Sequence, residues 1–174
     1  MATGALNAQG VWIYGEDDSE TTFSALLNKL GTSVSSNMKG RIVQVVSSQY
    51  TTETSTTSSS YVDTGLTLTI TPSSASSKIL VFVTQVAGHG PGDGVYNLRL
   101  VRDTTAIGTM MALGLLNEPT NYLRRSHSLN AVVTAGSTSA TTFKTQFARS
   151  SGSVSVITQN DAIAASIIAI EVSA

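Results

Sequence analysis

A chain of 174 residues, 41% hydrophobic and 12% charged with a net charge of -1, has the length of one domain of about 100–200 residues, with room for a short appendage. The near-neutral balance contains no basic block, so there is no electrostatic footprint for nucleic acid or an anionic membrane. The absence of cysteine excludes disulfides, thiolate chemistry and Cys-type zinc sites.

Residues 1–20 carry no basic segment followed by an apolar one, so they are not expected to be a secretory signal. They contain a short apolar patch, Val11, Trp12, Ile13 and Tyr14, inside "GVWIYGEDDSE". So brief a patch has no means of burying itself, and we expect residues 1–20 to anchor the chain on another subunit or scaffold. Residues 17–38 hold the one helical signal. Phe23, Leu27, Leu30 and Val34 recur at the 4-3-4 spacing of a coiled-coil seam, and Asp17, Asp18 and Glu20 sit where acidic groups favour a helix start. A helix of about four turns is marginal alone, so residues 21–40 are expected to be a short stem that pairs with its own copies.

From Arg41 to Ala174 the hydrophobic period is two. "RIVQVV", "YVDTGLTLTIT", "KILVFVTQV", "YNLRLVR", "AIGTMMALGLL", "LNAVVTA", "TTFKTQFAR", "GSVSVIT" and "ASIIAIEV" are strand-like runs separated by turn-rich segments. The Ser/Thr stretch "TTETSTTSSS" lies between two of these runs and reads as an exposed loop or strand edge of the same domain. The pattern predicts a mainly β fold: an antiparallel, jelly-roll-like β-sandwich head behind the helix. "KILVFV" and "ASIIAIEV" are apolar on both faces, and a strand buried twice in a sandwich needs cover beyond the opposite sheet. A symmetric neighbour would supply it, and with the helical seam this leads to a trimer.

No constellation for catalysis stands out. The two histidines, His89 and His127, lack a nucleophile elbow or a paired acid, and the carboxylates are scattered along the chain. No cofactor or metal is expected, and none of the apolar runs approaches the roughly 20 residues of a membrane span. The polar loops at one end of the sandwich are the remaining candidates for function. His89, Asp93, Tyr96 and Asn97 in one loop region, with Asn117, Asn121 and Tyr122 in another, are the expected recognition residues.

The segment "GVWIYGEDDSETTFSALLNKLGTSVSS" resembles the N-terminal region of tailed-phage minor tail or fibre proteins. "YVDTGLTLTITP" and the following "SSASSKILV" are similar to a segment of phage fibre heads, so the resemblance covers about residues 10–85. It implies a homotrimeric virion protein without catalytic role, with an N-terminal anchor on other virion proteins and a head displayed on the particle surface. The head would contact a host glycan or protein. The chain lacks the long shaft of many tail fibres, so the resemblance also admits a capsid decoration protein or head fibre.

Overall fold

The computed structural model describes residues 5–6, 12–13, 23–37, 40–112 and 122–174. The chain divides into two units, residues 1–41 with 173–174, and residues 42–172.

In the first unit, β1 (Ala5–Leu6) pairs antiparallel with β2 (Trp12–Ile13). Val11 and Tyr14 of the expected anchor lie outside the described residues. The acidic cluster Asp17, Asp18 and Glu20 lies outside the described residues, and helix α1 spans Phe23–Asn37. Its expected seam is open to solvent on this protomer: Leu27 is 48% and Val34 45% exposed, and Leu30 is half-buried. Near its end the unit is closed by backbone bonds, with the Gly40 N–H donating to Ser173 O and the Ser173 N–H to Arg41 O.

The second unit is an antiparallel sandwich. Its strands are β3 (Ile42–Tyr50), β4 (Thr54–Thr56), β5 (Val62–Ile70), β6 (Lys78–His89), β7 (Gly94–Arg102), β8 (Thr105–Ala112), β9 (Leu123–Thr134), β10 (Thr141–Gly152), β11 (Val156–Thr158) and β12 (Ala165–Val172). One sheet has the order β5-β10-β7-β8. The other runs β3-β12-β6-β9, with β12 on residues 78–84 of β6 and the short β11, backed by β4, taking over that edge at 87–89. The chain passes back and forth between the sheets, as in a jelly roll.

Alternation builds the core. In β5, Leu66, Leu68 and Ile70 are buried while the intervening threonines face water. Ile79, Val81 and Val83 of β6, Phe143 and Phe147 of β10 and Ile167 of β12 complete the packing between the sheets. Each such side chain contributes about 1.5–3 kcal/mol by leaving water. The Ser/Thr stretch forms β4 at a sheet edge, as the strand-edge reading expected.

Two local devices fix the register. Asp103, at φ 53°, turns the chain between β7 and β8; its N–H donates to Thr142 O at 2.7 Å and its Oδ1 accepts from the Thr142 N–H at 2.9 Å. Glu171 points into the sandwich base, fully buried. Its oxygens accept from Gln44 Nε2 at 2.6 Å, Ser73 Oγ at 2.7 Å and the Ser73 N–H at 2.8 Å, tying β12 to β3 and to the loop after β5.

The two outer faces differ in chemistry. On the β5-β10-β7 side, Lys144 Nζ and Gln146 Nε2 both donate to Asp63, the Arg99 guanidinium donates to Gln146 Oε1, and Arg99 stacks 3.7 Å over the Tyr61 ring. On the β3-β12-β6-β9 side the register lines up Val45, Ile170, Leu80 and Val132 in one row and Ser47, Ile168, Phe82 and Asn130 in the next.

Candidate recognition surface

Of the segments expected to carry recognition, His89 and Tyr122 come together at the end of the sandwich where β6 leaves β12 and pairs with β11. A shallow groove there is lined by Val86, Gly88, Tyr122, Arg124, Ile157 and Asn160, among others. It encloses no room for even one water, far from the roughly 300–1,000 Å³ of a small-molecule pocket. Gly88 lets the neighbouring strand close over it, because a Cβ at that position would overlap the Leu123 carbonyl.

Tyr122 presents its ring at the rim and is 52% exposed. The Arg124 guanidinium lies 5.5 Å from the centroid of that ring, and its Nη1 is 2.7 Å from Asp161 Oδ2. Asn160 Nδ2 donates to Glu53 Oε2 at 2.6 Å, bringing the edge strand β4 region to the same rim. Ion pairs this exposed contribute only about 0–1 kcal/mol, so their role is to orient the side chains. The backbone is held in an uncommon form here: Gln159, Asp161 and Ala162 have φ of 53°, 58° and 57°. Non-glycine residues adopt this left-handed region at a cost of about 1–2 kcal/mol each. Burial of Gln159 and its N–H bond to Val86 O at 3.2 Å hold the turn against that cost.

Beneath the groove lies a polar layer inside the sandwich. The Tyr96 hydroxyl donates to Ala87 O at 2.9 Å and lies 2.8 Å from His127 Nε2. The phenolic proton is used on the carbonyl, so Nε2–H of a neutral His127 donates to the Tyr96 oxygen. Burial, reinforced by the Arg125 charge, holds the His127 pKa below its usual value. Burial also pushes the Tyr96 hydroxyl up to about 12. His89 Nδ1–H donates to Gly90 O at 2.7 Å. His89 Nε2 and both amide ends of Gln85 and Gln159 are buried without a protein partner.

These placements divide the expected recognition residues. Tyr96 and His89 are fully buried, and with no exposed surface they leave the recognition set: both point inward from their strands. Asn97 is half-buried, Asp93 is exposed in the turn between β6 and β7, and Tyr122 is exposed. Asn117 and Asn121 lie outside the described residues. The groove brings in four residues that the sequence did not group: Glu53, Arg124, Asn160 and Asp161. They are separated by up to about a hundred positions, and only strand order joins them. Among the described residues no group of three or more His, Asp or Glu is placed to hold a metal ion. Chemically, the rim offers a flat ring, a guanidinium, an amide and two carboxylates. Those groups suit reversible hydrogen bonding and stacking against a hydroxyl-rich partner.

No family model matches the chain, and no curated protein matches its sequence. Among solved structures, the structure of infectious bursal disease virus Gt strain is similar at 15% identity and a TM-score of 0.42. The VP2 subviral particle of the same virus gives 13% and 0.39, and its Gx strain 15% and 0.37. This chain is covered over 75–76% of its length in these comparisons but spans only 37–39% of those chains. At such TM-scores the likeness carries nothing about function.

Proposed function

We propose that the chain is a non-enzymatic structural protein of a phage virion, a short homotrimeric fibre that displays its sandwich head on the particle surface. Residues 1–20 attach it to other virion proteins, residues 21–40 form the stem, and residues 41–174 form the head. The observation that carries this reading is the resemblance of residues 10–85 to phage fibre proteins, in a chain whose head is a jelly roll with only a shallow groove among the described residues of its loop end. The seam of α1 supports self-association, since Leu27 and Val34 are large apolar side chains left about half exposed.

Host contact is assigned to the rim of Tyr122, Arg124 and Asp161 together with Asp93. An exposed aromatic beside a guanidinium is the equipment of a binding surface. Replacing Tyr122 and Arg124 by Ala is expected to reduce adsorption to host cells by roughly tenfold or more, from a loss of about 1–3 kcal/mol. The thermal midpoint of the head should stay within a few degrees, because both side chains are exposed. Undiminished adsorption by particles carrying the variant would refute the receptor role. Antibody labelling of particles locates the chain: label at the tail tip accords with receptor binding, and label over the shell makes it a decoration protein.

A further inference from the structure

We propose that the outer face of the β3-β12-β6-β9 sheet is the surface through which copies of this chain pack on one another. The proposal rests on the self-associating fibre reading and names the face that serves it. In an antiparallel sandwich the outer side of a sheet normally alternates polar residues toward water. Over part of this face it does not: Val45, Ile170, Leu80 and Val132 align across four strands, with Ile168 and Phe82 beside them between Ser47 and Asn130. Val132 is 68% exposed and Val45 58%. The opposite outer face carries the charged ladder from Lys144 to Arg99, so the apolar character belongs to one side only.

The occupant is a second copy, for two reasons. The face is almost free of charge. Over the rows that β12 shares with β3, β6 and β9, Lys78 is the ionisable member, its ammonium donating to Thr134 Oγ1 at 2.7 Å, while Arg124 and Arg125 stand exposed at the far end of β9, beyond β12. Around a symmetry axis a surface meets its own like, so a neutral face packs without repulsion, while a charged foreign partner would find nothing to pair with. The size is also right. Four strands spaced about 4.8 Å apart and three rows about 7 Å apart, the two already given and the adjoining row of Ile42, Val172, Lys78 and Thr134, give a face of about 400 Å² in projection. That is a large share of the ~800 Å² each partner contributes to a stable interface, and flat β-branched rows stack at the ~10 Å spacing of packed sheets.

The cysteine-free chain makes the test direct. Ile168→Cys is introduced into the full chain, Thr67→Cys on the outside of β5 serves as the open reference, and maleimide labelling is timed while sedimentation reports the mass. The expected result is an assembly larger than the 18.1 kDa protomer in which Ile168→Cys reacts about tenfold or more slowly than Thr67→Cys. Urea should bring the two rates together. Val132→Cys, at an exposed position that tolerates change, gives the same reading if Ile168→Cys misfolds. Labelling as fast as at residue 67 would overturn the proposal, and so would protection in a chain that sediments as a protomer, which would make residues 23–37 the cover. A protected assembly that is missing from purified particles would uphold this interface and refute the virion role.

Discussion

Two buried ionisable side chains set how the head responds to acid, and they act in different windows. His127 is held neutral by burial and by Arg125, with its pKa below the ordinary 6.5. The unfolded chain therefore takes up the proton first, so stability is complete above pH 6.5 and declines below it. Tyr96, Gln85 across the strand pair and the Ala87 carbonyl surround the ring, and none is an anion that would compensate the charge. Burial raises the Glu171 pKa, but its hydrogen bonds from Gln44 and Ser73 outweigh that and hold it at about 2, against 4.5 ordinarily. Its contribution is complete above pH 4.5 and is lost as pH falls toward 2. Urea midpoints should begin to fall as pH drops below 6.5 and fall again below 4.5. His127→Gln should flatten the first decline. Glu171→Gln should cost about 2 kcal/mol at pH 7 and remove the second. Equal pH slopes in wild type and both variants would contradict these roles. Tyr96 also marks what the sequence offered at this scale. Alternation places it with Leu98 and Leu100 on the buried side of β7, whereas its nearness to a glycine-rich turn drew it into the recognition set. Period two was the better guide, because a turn ends within one residue and a strand's pleat does not.

At the level of elements, the nine strand-like runs each contain a strand, since each carries its own alternation or continuous apolar run, with the end of "AIGTMMALGLL" after Ala112 outside the described residues. Their lengths were less legible. β9 begins at Leu123, so "RRSHS" belongs to a strand although only its His127 is inward and buried, the other four residues facing water. The match of β9 to β6 over its whole length supplies the hydrogen bonds that local propensity does not. β5 contains a position whose identity is set by its neighbour. Gly65 has φ +90°, and a Cβ there would overlap the Tyr50 ring. Gly65→Ala should destabilise the head by about 2 kcal/mol or more, combining backbone strain with the clash. Paired with Tyr50→Ala, the cost of the second change should shrink, giving a coupling of about 0.5–3 kcal/mol in a double-mutant cycle measured by denaturant unfolding. Strict additivity would mean the ring moves aside freely.

Across the sandwich, polarity is unevenly distributed among the described residues. A charge ladder covers one sheet, rows of valine, isoleucine, leucine and phenylalanine cover the other, and the loop end concentrates an aromatic ring with paired charges. The doubly apolar runs "KILVFV" and "ASIIAIEV" made the uncovered face legible in advance, because both sides of a strand are read directly from its residues. The groove rim was not legible: Glu53, Arg124, Asn160 and Asp161 come from separate loops, and their meeting depends on β11 replacing β12 along β6. The central claim is that this chain is a trimeric component of the virion. Quantitative mass spectrometry of gradient-purified, salt-washed particles tests it most directly. The account predicts the chain on every preparation, in a copy number per particle divisible by three. Particles that infect normally and contain none of it would contradict the account.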